Sequence, residues 1–392
     1  MTNAQDRLAG RCAIVGVGEA GLGRAAPGDT ALSLQCRAAR DAVLEAGLRL
    51  HDIDGVFAHW DDRAAALLVS EYLGIHPRCV DSTVTGGQSN LTHLIHAIAA
   101  IETGLCDVAL VTWGSTQRLD RSRQRTGPAQ DARSPMGQFV APYGMLSPIG
   151  WYAMLARLYS ERHGVPPEAF GEVALAARRW AQLNPNASAR EALTMADYLA
   201  SPMVADPLRK LDICLVCDGA GALVLTGTER ARGLRQRPVR IDGFAQTHRH
   251  HMVPLAAGDW LDPAPVRALA DRALAMARIG RGDVDLVQIY DAFTINVLLG
   301  LEWLGFCDAG GAAEFVRGGR IAPRGDFPLN TSGGGLSFNH SGQFGMQLTI
   351  ETVRQLRGEC GARQVSEARR ALVQATGIVM SAFLVMVLAA DD

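Results

Sequence analysis

Two stretches of this chain, "DIDGVFAHWDDRAAALLVSEYLGI" at 52–75 and "DVDLVQIYDAFTINVLLGLEWLGF" at 283–306, align without a gap. Asp52 falls on Asp283, Asp54 on Asp285 and Val56 on Val287, and Glu71, Leu73 and Gly74 fall on Glu302, Leu304 and Gly305. Before each copy lies an alanine-rich amphipathic stretch, "ALSLQCRAARDAVLEAGL" and "APVRALADRALAMARI". After each come a glycine-rich turn, a helix closed by glycine, and a strand. A repeat of this kind restricts the fold. It predicts a duplicated α/β unit whose two glycine-rich turns, "TVTGGQSN" and "NTSGGGLSFNHSGQFG", meet about a pseudo-two-fold axis. His59 then takes the place in the first half that Tyr290 takes in the second. The halves are expected at 1–235 and 236–392. Residues of about 115–205 have no counterpart and read as an inserted loop domain. The insertion opens with the polar "QRLDRSRQRTGPAQDARSP", and helices are expected around "WYAMLARLYSERHG" and "AFGEVALAARRWAQL".

Composition narrows the class. The chain has 392 residues, 48% apolar and 20% charged, which supplies a sizeable core, and its net charge of −2 argues against a nucleic-acid or anionic-membrane surface. The polar start does not read as a signal peptide, and the longest apolar run, "IVMSAFLVMVLAA", suits a buried strand better than a membrane span. Eight cysteines scattered through apolar segments suggest reduced thiols in a cytoplasmic protein. Cys214 and Cys217 form a lone CxxC; zinc would need a second ligand pair, so no metal site is expected there. "HRHH" at 248–251 reads as a loop rather than a ligand cluster. "GVGEAG" at 16–21 matches a dinucleotide fingerprint, but "LGRAAPGDT" follows it instead of an apolar helix.

The segments "LNPNASAREALTMADYLASPMVADPLRKLDICLVCDGAGALVL", "RGGRIAPRGDFPLNTSGGGLS" and "QLRGECGARQV" resemble the thiolase superfamily, in its sterol carrier protein X or lipid-transfer-protein type. That resemblance spans essentially the whole chain. It implies the thiolase fold: five layers, α-β-α-β-α, made of two duplicated halves with a loop domain inserted in the first. The family's cysteine nucleophile maps to Gly87 and its second cysteine to Gly377. His340 matches the family's active-site histidine, in an "NHSG" turn, and the motif of the second half stands here as "YDAF", led by Tyr290. A tyrosine there, with both cysteines lost, looks like the thiolase-like aldolases of bacterial steroid side-chain degradation. In that group a second tyrosine stands where this chain has His340.

The implied activity is that of a lyase, a retro-aldol cleavage of a β-hydroxyacyl-CoA. Such a reaction needs a base for the β-hydroxyl, stabilisation of a thioester enolate, and an acid for its carbon, with no covalent nucleophile and no cofactor beyond the coenzyme A of the substrate. A Schiff-base aldolase would need a lysine, and Lys210 is the chain's only one, outside both turns. Tyr290 and His340 are the acid–base candidates; their bland alternatives are a packed aromatic and a structural histidine. The N–H groups of Gly86, Gly87, Gly334 and Gly335 are candidates for holding the enolate oxygen, with Ser89 beside them as a substrate contact or a substitute nucleophile. Arg118, Arg121, Arg123 and Arg125 either meet the CoA phosphates or belong to a solvated loop. Two other readings stay open: a thiolase-like acyltransferase, and a non-catalytic acyl-CoA- or lipid-binding subunit. The resemblance also implies a homodimer, paired through the strand around "CDVALVTWG". It further implies a small acyl-CoA-binding partner with an OB-fold and zinc ribbon, giving α2β2.

Overall fold

The structure, a computed structural model, describes residues 4–59, 64–121, 132–145, 147–249 and 258–391. The first half runs β1 (Cys12–Gly23), α1 (Ala31–Glu45), β2 (Gly55–His59), α2 (Ala65–Leu73), β3 (Cys79–Asp81), α3 (Ser89–Glu102) and β4 (Val108–Ser115). The insertion follows, with α4 (Pro135–Phe139), α5 (Pro148–His163), α6 (Pro167–Gln182), α7 (Met195–Ala200) and the short pair β5 (Met203–Ala205) and β6 (Leu208–Arg209). Then come β7 (Asp218–Gly227), α8 (Thr228–Ala231), β8 (Val239–His248), α9 (Ala264–Ala277), β9 (Leu286–Ile289), α10 (Thr294–Trp303), α11 (Ala312–Phe315), α12 (Gly345–Arg357), β10 (Arg370–Gly377) and β11 (Ala382–Ala390). The two helices expected in the insertion are α5 and α6.

The repeat in the sequence is a repeat in the sheet. Strands follow the order β3-β2-β4-β7-β1-β8-β11-β10-β9. In one wing β2 is parallel to β4, and β4–β7 and β7–β1 are antiparallel. In the other β9 is parallel to β10, and β10–β11 and β11–β8 are antiparallel. Among the described residues the strands of the two wings pair where Ala13 and Ile14 of β1 meet Arg240 and Val239 of β8. Matched aspartates do matched work. Asp52 Oδ2 accepts from the Arg49 N–H at 2.7 Å, as Asp283 Oδ2 accepts from that of Gly280 at 2.8 Å. Asp54 accepts from the N–H groups of Asp107 and Val108 at the head of β4, and Asp285 from those of Arg369 and Arg370 at the head of β10. Asp54 and Asp285 thus each satisfy the first backbone donors of the neighbouring strand.

Three apolar clusters order the layers. One packs α1 and α2 on the first wing, and a second fills the space around α3 and α12 between the wings. The third packs α9 and α10, with α5 and α6 of the insertion, on the second wing. This is the five-layered thiolase fold, with α3 and α12 as its central layer. One expectation is corrected. The strand "CDVALVTWG" is β4, flanked on both sides by β2 and β7, so it has no edge to offer a second copy. The edge strand of that wing is β3. No helix among the described residues is long and apolar enough to cross a membrane.

Candidate active site

Tyr290 leaves the end of β9. Its N–H donates to the Gln374 carbonyl of β10 at 3.0 Å. The residue before it, Ile289, is gripped by Asn330, whose Oδ1 accepts from the Ile289 N–H at 2.8 Å while its Nδ2 donates to the Ile289 carbonyl at 2.9 Å. Asn330 does this at φ 50°, a left-handed backbone that asparagine tolerates. So clamped, the Tyr290 phenol reaches the segment before α12. It accepts from the Phe344 N–H at 3.1 Å, and its hydroxyl points at the Gly342 carbonyl 3.4 Å away.

His340 stands on the same segment, 2% exposed, with Tyr290 5% exposed beside it. The two rings meet edge to face, centroids 5.7 Å apart at 84°. Phe344 stacks on the imidazole at 5.8 Å. The His340 carbonyl accepts from Gln117 Nε2 at 2.7 Å and from the Cys217 N–H at 3.2 Å. Its Nδ1 accepts from the Gly342 N–H at 3.3 Å, which puts the proton of the neutral ring on Nε2. The two acid–base candidates are thus brought together, from sequence positions 50 residues apart.

The two glycines to which the resemblance assigns the family's cysteines are sterically closed. A Cβ added to Gly87 would lie 2.7 Å from Cε2 and Cζ of Tyr290 and 2.6 Å from the Thr376 carbonyl oxygen. A Cβ on Gly377 would lie 1.9 Å from the Thr85 carbonyl oxygen. The tyrosine ring and a close backbone approach leave neither position room for a side chain.

The glycine candidates divide. Gly86 and Gly87 form a 3-10 turn that faces Tyr290 and the end of β10, and Gly86 takes φ +80° there. Gly334 and Gly335 do not present their N–H groups as expected. They open a single π-helical turn, Gly334–Phe338, in which the Gly335 N–H donates to Asp291 Oδ1 at 2.7 Å and the Gly334 N–H to Ser332 Oγ at 3.3 Å. The carboxylate has taken the place meant for an enolate oxygen. Ser89 is fully buried; its hydroxyl donates to the Gly86 carbonyl at 2.6 Å and accepts from the Thr85 N–H at 2.9 Å. It ties the turn together and offers substrate no hydroxyl.

In a continuing strand Asp291 would point to the face opposite Tyr290. The strand stops at Ile289. Asp291 turns inward, fully buried, and burial pushes its carboxyl up to about 7 against the opposing pull of the Gly335 and Leu336 N–H groups. Sequence reasoning missed Gln117 and His93, and it marked His59 only as the counterpart of Tyr290 in the repeat. His59 Nε2 lies 2.6 Å from Gln343 Oε1, across the seam between the wings. Contacts of this separation leave no local pattern to read.

A cavity of about 470 Å³ is lined by Arg118, Ser188, Leu215, Val216 and Cys217. Three of these residues, Ser188, Leu215 and Cys217, donate backbone N–H groups to the carbonyls of Phe338, Gly335 and His340, which ties the cavity wall to the site segment. Arg118 is exposed at this wall, with its Nη1 on the Gly23 carbonyl at 3.2 Å. Arg121 is also exposed, at φ 59°. Arg123 and Arg125, like His250 and His251, lie outside the described residues. Among the described residues no cluster of His, Cys, Asp and Glu is arranged to hold a metal ion.

Residues 245–390 match the family described as thiolase C-terminal domain-like. Over 390 aligned residues the chain is 34% identical to the 17-hydroxy-3-oxo-4-pregnene-20-carboxyl-CoA lyase of Mycobacterium tuberculosis, covering 96% of this chain and 99% of that one. It is 33% identical to the steroid side-chain-cleaving aldolase of Thermomonospora curvata, covering 96% and 98%. Among solved structures it superposes on the Ltp2–ChsH2(DUF35) aldolase with a TM-score of 0.88 at 30% identity, over 98% of this chain and 99% of that one. The chain therefore belongs to the thiolase superfamily and, within it, to the thiolase-like aldolases that cleave steroid side chains.

Proposed function

We propose that this lyase cleaves a β-hydroxyacyl-CoA by a retro-aldol reaction in which Tyr290 and His340 exchange the protons and no cysteine takes part. The observation that carries the reading is the Tyr290 ring standing against Gly87, where a thiolate would be, with its hydroxyl hydrogen-bonded and its edge on His340. One of the pair removes the β-hydroxyl proton. The oxygen's electrons form the new carbonyl, and the Cα–Cβ electrons pass into the thioester as an enolate. The other group then protonates Cα. The Gly86–Gly87 turn is our candidate for the enolate oxygen, because glycine lets the backbone come close. No cofactor is required, since the thioester is itself the electron sink and CoA arrives as part of the substrate.

We assign the CoA arm to the cavity of about 470 Å³ lined by Ser188, Leu215 and Cys217, where Arg118 at the wall would meet its phosphates. The substrate we favour is the one in the name of the mycobacterial relative. A 17-hydroxy-3-oxo-4-pregnene-20-carboxyl-CoA would break at C17–C20, giving a 17-ketone and propionyl-CoA. We further propose a homodimer, joined through the β3 edge, and an OB-fold partner of the DUF35 type, as in the name of the solved aldolase, completing an α2β2 enzyme. The free state of all eight cysteines fits a reducing cytoplasm. The test is product analysis by mass spectrometry with that CoA thioester. Ketone and propionyl-CoA are expected from the wild type, with turnover lowered about a hundredfold or more in Tyr290→Phe and in His340→Ala. Near-normal turnover in both variants would overturn the acid–base assignment. A stable acyl adduct on the protein would favour acyl transfer instead.

A further inference from the structure

The segment 340–344 carries His340 and supplies two hydrogen-bonding partners of the Tyr290 phenol, the Gly342 carbonyl and the Phe344 N–H, yet it belongs to a loop whose own backbone is irregular. Gly342 in its middle takes φ +112°. What fixes it comes partly from the other half. Gln117 holds the His340 carbonyl at 2.7 Å. His59, the residue that the repeat sets opposite Tyr290, brings Nε2 to 2.6 Å from the Gln343 side-chain oxygen. Gln343 lies between Gly342 and Phe344, the two residues that bracket the phenol oxygen.

We propose that His59 is a positioning residue for the acid–base pair: its Nε2–H holds Gln343, and through it the Gly342–Phe344 clamp on Tyr290. The surroundings suit that task. The ring is wedged between His93, edge-on at 5.1 Å, and Trp113 at 6.3 Å, all three residues being buried. Burial pushes His59 down to about 4, so it stays neutral and offers one fixed donor at ordinary pH. In the duplicated architecture one copy of this position does proton chemistry and the other aims it.

The proposal rests on the Tyr290/His340 reading, so the experiment measures both. Steady-state kinetics would compare His59→Phe, His59→Gln, Gln343→Ala and the double variant His59→Phe/Gln343→Ala with Tyr290→Phe and His340→Ala. All would be made in whichever preparation, alone or with the OB-fold partner, gives wild-type turnover of the 17-hydroxy steroid thioester. A misaimed group should lower kcat by about tenfold to a hundredfold with KM changed by less than about twofold. His59→Gln, whose amide nitrogen reaches the place of Nε2, should recover most of the loss. The double variant should be no worse than the poorer single, because both cut one connection. Should His59→Phe fail to fold, the half-exposed Gln343→Ala carries the same comparison. Wild-type kcat in His59→Phe and Gln343→Ala, or losses that multiply in the double variant, would overturn this proposal alone. Retained activity in Tyr290→Phe and His340→Ala would overturn the acid–base reading and this proposal with it.

Discussion

Gly87 and Tyr290 are one steric unit. The ring lies where the first side-chain atom of any other residue would go, so the two identities are complementary. Gly87→Cys restores the residue expected of a thiolase and should nonetheless be the more damaging for it. The added Cβ must push the phenol away from Phe344 or distort the Thr376 backbone, and a displacement near 1 Å costs about a hundredfold in such sites. Turnover should fall by that order, and incubation with an acyl-CoA should leave no acyl group on the protein by intact mass. Wild-type turnover in Gly87→Cys would show that the ring moves freely. At this scale the sequence was informative about which residues matter and silent about what holds them. Tyr290 and His340 carried motif signals. Gln117, Gln343 and His59 are ordinary polar residues whose meaning lies in contacts across more than 200 positions.

Among the elements, the π-turn Gly334–Phe338 is the one that sequence reasoning misjudged. A run of glycines suggested free N–H groups, and it is in fact bound by a buried acid. The acid gives the turn a pH dependence. Asp291 has its folded value raised to about 7, above an ordinary carboxyl near about 3.9. Between those values the folded chain binds more protons than the unfolded one. The stabilisation is therefore complete below about pH 4 and lost as pH rises to 7. Melting temperatures of wild type minus Asp291→Asn should accordingly fall between pH 4.5 and 7.5, and a flat difference would refute the assignment. The matched elements were far more legible. Asp54 and Asp285 hold the heads of equivalent strands, so the repeat recorded a working hydrogen-bond pattern and not only a spacing.

For the whole molecule, the duplication left one wing with a free margin. Strand β3 ends the sheet, and exposed apolar side chains cluster in and around it: Leu67, Tyr72, Val80 and Val84. Such an edge is normally covered, and an isologous pairing covers it twice. Light scattering at micromolar concentration should report a dimer, and Val80→Arg should shift it toward monomer. A wild-type monomer would contradict the β3 interface. Co-expression with an OB-fold protein should raise activity and give an α2β2 mass; full activity of the homodimer, unchanged by that protein, would remove the partner from the account. The resemblance pointed to a dimer seam on β4, and the sequence could not correct it because a strand's neighbours cannot be read from its own residues.

The filled thiol positions also bear on ancestry and on engineering. With Tyr290 in place a cysteine at position 87 meets the phenol ring, and one at position 377 meets the Thr85 carbonyl, so neither can be added in one substitution without displacing a neighbour. The intermediates in either direction would be crowded, with neither chemistry intact. The site therefore behaves as a ratchet: drift can alter the acyl pocket and change which substrates enter, but a return to thiol chemistry demands several coordinated changes at once. Directed evolution toward condensation should begin by shrinking residue 290, and only then offer sulfur to position 87.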